Sequence, residues 1–131
     1  MRRIRVMRQK NSTFAPMNEK LGDFEIMAPV GSRESLAAAL QAGANSIYFG
    51  IGQLNMRSHS ANHFDINDLH EIAETCKAHG IKTYLTVNTI IYDEDMEAMR
   101  QIVDAAKAAD ISAVIASDVA VLVYCRQVGV E

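Results

Sequence analysis

The sequence alternates short apolar runs with segments whose apolar residues recur every three to four positions. A short apolar run bounded by turn residues is typical of a buried strand, and the longer period is typical of an amphipathic helix. Apolar runs lie at 24–28, 46–50, 82–88 and 113–116, and a helical segment follows each, the last at 119–127. Strands joined by helical crossovers pair in parallel, so we predict an α/β fold with helices outside a parallel sheet.

Polar residues and glycines mark where the predicted helices begin and end. Ser32, Asp65 and Asp93 precede three of the helical segments and are good N-cap residues. Gly43 and Gly80 follow the first two, as expected of residues that end helices. The repeated strand–helix unit favours either a (β/α) barrel or a doubly wound sheet.

The loop after the first strand favours the barrel. It lacks the G-x-G-x-x-G pattern that marks a dinucleotide-binding doubly wound sheet. A complete barrel needs eight strand–helix units and about 250 residues. Residues 23–131 therefore correspond to about half of a TIM-barrel-like sheet, its N-terminal half. A half-barrel has two open strand edges, which further chain or a second copy in a homodimer would cover.

Residues 1–22 differ from the rest of the chain because they are basic, polar and without periodicity. We expect a disordered tail, and residues 1–16 could equally be upstream sequence that is not translated, since Met17 would make a plausible start. An RNA-binding arm is the alternative, although aromatic residues do not alternate with the basic ones. The full chain carries a net charge of -3, so no global field draws it to nucleic acid.

The sequence lacks the patterns of a membrane span, a signal peptide and a cysteine cluster. No apolar run approaches the ~20 residues of a membrane span, and no apolar stretch follows the basic N-terminus as in a signal peptide. Cys76 and Cys125 are too few and too far apart for a disulfide scaffold or a zinc cluster. We therefore expect a cytoplasmic protein without membrane contact, and no cofactor bound by this chain.

Polar side chains cluster where the predicted strands end, which is the working face of a barrel. The candidate ligand-binding residues are Asn55, Arg57, Asn62, Asn88 and Asp118. Amides beside a guanidinium suit an anionic, oxygen-rich ligand, with Arg57 as a forked donor to carboxylate or phosphate. Each residue also has a plainer interpretation: a solvated cation for Arg57, a turn residue for Asn88 and an N-cap for Asp118.

Other catalytic and metal-binding patterns are weaker. His59 and His63 have a spacing that a helix could use for a metal ion, but their segment does not have a helical pattern, and we expect no metal site. There is no H-E-x-x-H or G-x-S-x-G motif, so the residues alone do not indicate a peptidase. Cys76 and Cys125 lie in apolar helical segments and are expected to be buried structural thiols. The catalytic residues are therefore unknown at this stage.

Several segments, taken in order, resemble peptidase family U32, whose members include collagenase-like proteases. The resemblance begins with FEIMAPVGS and AGANSIYFG, and it covers most of residues 24–131. The matching segments are 24–32, 42–50, 55–57, 62–64, 84–88 and 116–118. His63 interrupts the asparagine–phenylalanine pair usual in the family, and the family's cysteine-containing signature lies beyond Glu131.

The resemblance implies a TIM-barrel-like N-terminal domain and, by the family label, proteolysis of a peptide substrate. Other members carry out oxygen-independent hydroxylation of RNA bases or of a ubiquinone precursor. Those members carry a cysteine-bound iron–sulfur cluster, with prephenate implied as hydroxyl donor for the RNA enzymes. A small dicarboxylate would suit Arg57, whereas Cys76 and Cys125 do not match the cluster positions. A third interpretation is an inactive half-barrel fragment or an interaction module that pairs with a second copy.

Overall fold

The computed structural model describes residues 24–52, 54 and 64–131, in which strands alternate with helices. The strands are β1 (Met27–Pro29), β2 (Ser46–Gly50), β3 (Lys82–Val87) and β4 (Ala113–Ala116). The helices are α1 (Arg33–Ala42), α2 (Asp68–Ala78), α3 (Met96–Ala108) and α4 (Val119–Val128). A 3₁₀ turn (Asp93–Asp95) leads directly into α3. The predicted tail at 1–22 lies outside the described residues.

The four strands form one parallel sheet in the order β1-β2-β3-β4. The register aligns Tyr48 of β2 with Pro29 on one side and Tyr84 on the other, and it aligns Tyr84 with Ala113 of β4. Parallel strands that follow one another in chain order, joined by right-handed crossovers, place their helices on the same face. The α/β fold with a parallel, barrel-like sheet is therefore confirmed.

The hydrophobic core lies between the sheet and this layer of helices. Alternate residues of the central strands point towards the helices, because side chains on a strand alternate between its two faces. The largest fully buried apolar side chains in the core include Phe49, Ile47, Leu85, Val87, Leu69, Ile72, Cys76, Met99, Val103 and Val121. Burying each of the larger ones contributes roughly 1.5–3 kcal/mol, so this layer supplies most of the driving force for folding.

The opposite side of the sheet, the inner face, corresponds to the interior of a barrel. Its residues are Met27, Pro29, Ser46, Tyr48, Gly50, Lys82, Tyr84, Thr86, Ala113 and Ile115. Met27 is 44% exposed and Ile115 is 38% exposed, although both are large and apolar. Such exposure is expected on the inner face of a partial barrel, because the interior of a barrel is packed only when the barrel is closed.

Local capping confirms most of the predicted helix boundaries. The Ser32 hydroxyl accepts a hydrogen bond from the Ser35 amide at 3.2 Å, and the Ser35 hydroxyl accepts one from the Ser32 amide at 2.9 Å. This reciprocal pair satisfies two amides that the first turn of α1 would otherwise leave unpaired. Gly43 ends α1 in the left-handed conformation, with φ of 74°, which a side chain would disfavour.

Some boundaries differ from the prediction by a few residues. Asp65 was predicted to cap α2, but the helix begins at Asp68. The Asp65 carboxylate instead accepts from the amides of Asn67 at 2.7 Å and Asp68 at 3.1 Å, one turn ahead of the regular helix. Similarly, Asp93 opens the 3₁₀ turn rather than α3 itself.

The first strand begins later than predicted. It runs over Met27–Pro29 rather than 24–28. The Ile26 amide bonds to the side-chain oxygen of Asn45 at 2.8 Å, so this residue is held by a side chain just before the regular ladder starts.

The end of the chain lies beside β4. The Val114 amide of β4 donates a hydrogen bond of 2.6 Å to the carbonyl oxygen of Glu131. Gly129 ends α4 in the left-handed conformation, with φ of 78°, and turns the backbone towards the sheet. Residues 130–131 therefore approach the sheet where a further parallel strand would begin.

Candidate functional site

The carboxyl ends of the strands converge on one edge of the sheet, as parallel pairing requires. The connections that leave this edge begin at Val30, Ile51, Asn88 and Ser117. In open parallel α/β sheets and in barrels, ligand sites lie at this edge. The predicted site residues Asn88 and Asp118 lie in two neighbouring connections here.

Both carboxylate oxygens of Asp118 accept hydrogen bonds from the backbone. One oxygen accepts a hydrogen bond of 2.9 Å from the Ala120 amide and so caps α4. The other accepts a bond of 3.0 Å from the Ile91 amide, which belongs to the connection between β3 and α3. These two amides stabilise the ionised form and lower the pKa of Asp118. Asp118 therefore links the β3–α3 connection to the β4–α4 connection at the carboxyl edge. The sequence predicted only its role as the N-cap of α4.

Asn88 directly follows β3, and the next residue in this connection has an unusual environment. The hydroxyl of Thr89 is buried and has no hydrogen-bond partner among the residues that the structure describes. Leaving a buried hydroxyl unpaired costs about 1–3 kcal/mol. The carboxyl end of β3 thus combines the Asn88 amide group with an unsatisfied hydroxyl, which the sequence pattern did not reveal.

Asn55, Arg57 and Asn62 lie outside the described residues, as do His59 and His63. The structure does define the two ends of their segment. Ile51 and Phe64 form a parallel bridge, and the Gly52 amide donates to the Phe64 carbonyl at 3.2 Å. The Phe64 ring packs edge-on against Phe49, with ring centres 6.1 Å apart. The segment therefore leaves and returns at the carboxyl end of β2.

A second polar cluster lies at the amino end of the inner face, and sequence reasoning missed it. Glu25 accepts a hydrogen bond of 2.8 Å from the Lys82 ammonium and another of 2.8 Å from the Tyr84 hydroxyl. Hydrogen bonding from Lys82, with a further contribution from Tyr84, lowers the pKa of Glu25 to about 2. The sequence offers one sign of this cluster, which is that Lys82 and Tyr84 share one face of β3. Glu25 could not be added to it from the sequence, because it is distant along the chain.

A surface cavity of about 260 Å³ lies at the same amino edge, on the side of the helices. Its lining includes Lys77 and Lys82, but both ammonium groups are paired. Lys77 contacts Asp110 at 2.9 Å and Lys82 contacts Glu25 at 2.8 Å. The cavity is therefore a poor candidate for anion binding, and it faces away from the carboxyl edge.

Both cysteines are buried, as predicted, in the layer between helices and sheet. Burial raises the pKa of the Cys76 thiol to about 11, and it also raises the pKa of Cys125. A thiol is nucleophilic or metal-binding mainly as its thiolate, which this environment disfavours. Among the residues that the structure describes, no group of three or more His, Cys, Asp or Glu side chains is arranged to hold a metal ion. None of the helices described combines the length and apolarity needed to cross a bilayer.

Comparisons with known proteins agree with the family resemblance. The family model for peptidase family U32 matches residues 31–131. A protein named collagenase from Porphyromonas gingivalis is 62% identical over 111 residues, which cover 85% of this chain and 27% of that protein. A protein named tRNA hydroxylation protein P1 from Bacillus subtilis is 31% identical over 104 residues, 79% of this chain and 24% of that protein. The chain thus spans about a quarter of the length of these relatives.

One solved structure is also similar, though less closely. It is a radical S-adenosylmethionine methyltransferase from Kitasatospora setae, with a TM-score of 0.49 and 18% sequence identity. The match covers 74% of this chain and 20% of that protein, and it is too weak to carry an argument about function. The family model, by contrast, matches most of the chain in sequence. The chain belongs to peptidase family U32.

Proposed function

We propose that the protein containing this sequence is a U32-type peptidase that hydrolyses collagen-like polypeptides. The observation that supports this most strongly is the 62% identity with the Porphyromonas gingivalis collagenase, twice the 31% shared with the tRNA hydroxylation protein. The fold is compatible with the proposal because a parallel sheet with polar residues at its carboxyl edge is a common platform for catalysis.

The proposed substrate site is the carboxyl edge of the sheet. Arg57, Asn55 and Asn62 would approach it from the segment whose ends lie beside β2, and Asn88 would approach it from β3. Asparagine side chains can donate to peptide carbonyls, while Arg57 can bind a carboxylate of the substrate through two parallel hydrogen bonds. A ligand role for Asp118 would compete with its two backbone hydrogen bonds, so we assign it to holding the edge in shape.

The nucleophile of such a peptidase is not Cys76 or Cys125. Their burial and raised pKa values leave too little accessible thiolate for attack on a peptide carbonyl. We therefore propose that the attacking group belongs to other parts of the protein.

A second candidate is oxygen-independent hydroxylation, acting on RNA bases or on a ubiquinone precursor. The specific observation in its favour is the match to the Bacillus subtilis tRNA hydroxylation protein over 79% of the chain. Such a protein would use an iron–sulfur cluster, and the buried thiols of Cys76 and Cys125 do not fit as its ligands. A small dicarboxylate donor such as prephenate would suit the forked guanidinium of Arg57.

The two candidates are separated by assaying the same full-length protein in two ways. Denatured collagen is incubated with purified, iron-free protein, and fragments are followed by gel electrophoresis. In parallel, RNA from cells with and without the gene is digested, and nucleosides carrying one extra oxygen are measured by mass spectrometry. Each assay includes Arg57→Ala, Arg57→Lys and Arg33→Ala, the last an exposed arginine that is paired with Asp68 and Glu71.

For a peptidase we expect collagen fragments with iron-free protein and no change in RNA. Arg57→Ala should raise KM about ten-fold or more, Arg57→Lys should recover part of the loss, and Arg33→Ala should behave as wild type. Iron-dependent nucleoside hydroxylation without any proteolysis would overturn the proposal in favour of the second candidate. Unchanged substrate or donor binding in Arg57→Ala would remove Arg57 from either site.

We also propose a cytoplasmic location and, for this chain by itself, pairing with a second copy. The location is supported by the buried free thiols of Cys76 and Cys125, which suit a reducing compartment. The pairing is supported by the exposed apolar residues Met27 and Ile115 on the inner face. Cell fractionation and sedimentation, respectively, test these two proposals.

A further inference from the structure

The connection between β3 and α3 has an alternating pattern of exposure. The Thr89 hydroxyl is buried, and Ile91 is partly buried and packs against the core. Ile90 and Tyr92, by contrast, are 69% and 62% exposed. Such alternation is typical of an extended backbone, whose successive side chains lie on opposite sides. One side of this connection therefore faces the core, and the other side presents two large apolar side chains to solvent.

Two carboxylates hold the backbone of this connection in place. The Ile91 amide donates a hydrogen bond of 3.0 Å to Asp118, and the Tyr92 amide donates one of 3.1 Å to Asp95. Asp118 is itself fixed at the start of α4 by the Ala120 amide, whereas Asp95 belongs to the 3₁₀ turn before α3. Two successive amides are thus bonded to side chains from two different elements. A backbone held in this way loses little conformational freedom when its side chains bind a ligand.

Ile90 and Tyr92 lie at the edge of the sheet where a substrate would bind. Their connection leaves the carboxyl end of β3, which ends at Val87. Sites in barrels are built from the connections at this edge. Tyrosine is enriched at binding surfaces because its ring offers a large apolar area with few rotatable bonds. The two exposed side chains therefore suit contact with an apolar part of the substrate.

The charges next to this surface favour a polypeptide over a nucleic acid. Three carboxylates, Asp93, Glu94 and Asp95, directly follow Tyr92. They would repel a polyanion such as RNA but not an uncharged peptide segment. Extended, proline-rich segments bind to exposed aromatic side chains at low entropic cost, because they are already rigid. Collagen-like polypeptides are rich in such segments.

We propose that Ile90 and Tyr92 form a contact surface for the proline rings of a collagen-like substrate, and that Asp118 positions them through the amide of Ile91. The inference rests on the proposed peptidase function, because the collagen-like substrate class comes from there. Asp118 does not touch the substrate, since the backbone uses both of its oxygens. Ile90 and Tyr92 supply apolar contact and take no part in proton transfer.

The test uses full-length protein and two short, single-stranded collagen-like peptides. One peptide has proline in the X and Y positions of its Gly-X-Y repeats, and the other has alanine there. The variants are Ile90→Ala, Tyr92→Ala, Tyr92→Phe and the double variant Ile90→Ala/Tyr92→Ala. Phe24→Ala is the matched control, because Phe24 is an aromatic residue that is 71% exposed but precedes β1 at the amino end of the sheet. Thermal midpoints are measured for every variant.

We expect Tyr92→Ala to raise KM for the proline peptide about five- to ten-fold, while kcat and the kinetics of the alanine peptide change less than about two-fold. Tyr92→Phe should remain close to wild type, because the ring is kept. Ile90→Ala should give a smaller increase in KM, since less apolar surface is removed. Phe24→Ala should match wild type with both peptides.

The role of Asp118 is tested by separating its two hydrogen bonds. Asp118→Ser keeps a good N-cap residue for α4 but has one shorter oxygen in place of two, so the bond to Ile91 is lost. We expect it to raise KM for the proline peptide about three- to five-fold, and to add nothing in the Ile90→Ala/Tyr92→Ala background. Asp118→Ala also removes the cap, so it should lower the thermal midpoint further without raising KM further. Equal effects of Asp118→Ser on both peptides would indicate a purely structural role and reject the positioning.

Wild-type kinetics in Ile90→Ala/Tyr92→Ala, or equal effects on both peptides, would overturn the proposal. A thermal midpoint lowered by more than about 5 °C in Tyr92→Ala would also overturn it, because the ring would then be buried by other parts of the protein. Binding of single-stranded RNA that is lost in Tyr92→Ala would assign the surface to RNA and likewise reject the inference.

Failure of the peptidase function itself is distinguishable, since wild-type protein would then cleave neither peptide. In that case binding of the proline peptide is measured by calorimetry on the same variants, with the alanine peptide as reference. Selective binding that is weakened in Tyr92→Ala would support the contact surface without proteolysis. Binding that is undetectable in wild type, or equal in wild type and Tyr92→Ala, would overturn it.

Discussion

Two carboxylates owe their roles to groups that are distant in sequence. Asp118 accepts from the amides of Ile91 and Ala120, and Glu25 accepts from Lys82 and Tyr84. In both cases the donors stabilise the charged form and lower the pKa of the acid. The two acids thereby hold opposite ends of the sheet, Asp118 at the carboxyl edge and Glu25 at the amino edge.

The lowered pKa of Glu25 predicts a specific loss of stability in acid. Its folded-state pKa of about 2 lies below the ordinary value of 4.5, so its contribution is present above pH 4.5 and is lost as the pH falls towards 2. The thermal midpoint of wild type should exceed that of Glu25→Ala at neutral pH, and the difference should shrink through this window. In Lys82→Met the acid-dependent loss should be smaller, because the main donor is gone. A difference that is independent of pH would contradict the assignment.

At the carboxyl edge, Phe64 connects the segment that follows β2 to the end of that strand. Phe64 pairs through its backbone with Ile51 and Gly52, and its ring packs against Phe49 under the same edge. It is only 5% exposed, so its packing contributes to the core as well as to the connection. Phe64 thereby sets the point from which the segment that carries Arg57 returns to the fold.

We expect Phe64→Ala to lower the free energy of unfolding by about 3–5 kcal/mol, because a large buried side chain is removed. Phe64→Leu should cost less, since it fills much of the same space, and it provides a folded variant if the alanine variant does not fold. Phe24→Ala is the control: Phe24 is 71% exposed, and its removal should change stability by less than about 0.5 kcal/mol. Urea denaturation measures all three, and similar values for Phe64→Leu and Phe24→Ala would contradict the proposed anchor.

The described half-barrel leaves apolar surface uncovered along its last strand–helix unit. Val119, Leu122 and Val123 lie on one side of α4 and are 69%, 52% and 50% exposed. Ile115 adds further apolar surface on the inner face of the adjacent strand. An exposed apolar stripe such as the one on α4 is typical of an interface.

The 131-residue chain by itself is therefore expected to self-associate. Sedimentation velocity should show a concentration-dependent shift to larger species, and Leu122→Lys should reduce it because a charge is placed within the apolar stripe. Gln101→Lys, an exposed position on α3, adds the same charge elsewhere and should leave association unchanged. A monomer at all concentrations would show that this surface does not drive association.

Local sequence patterns determined the class of fold. Alternating strand and helix signals, the cap at Ser32 and the glycine at Gly43 depend on interactions within a few residues, and these are readable from the sequence. They also predicted that Asn88 and Asp118 lie at the carboxyl ends of neighbouring strands. Boundaries such as the start of α2 were less accurate because capping at Asp65 and Asp68 involves competing local hydrogen bonds.

Only the tertiary structure decided which polar groups meet. Glu25 and Tyr84 are 59 residues apart in the chain, and their contact exists because parallel pairing brings β1 and β3 to either side of β2. The second hydrogen bond of Asp118 likewise depends on how two connections pack, not on the residues beside it. Strand register and crossover packing are set by burial over the whole sheet, so no short pattern encodes them. The sequence alone therefore determined the elements and the edge where a site would lie, and the packed sheet determined which side chains support that edge.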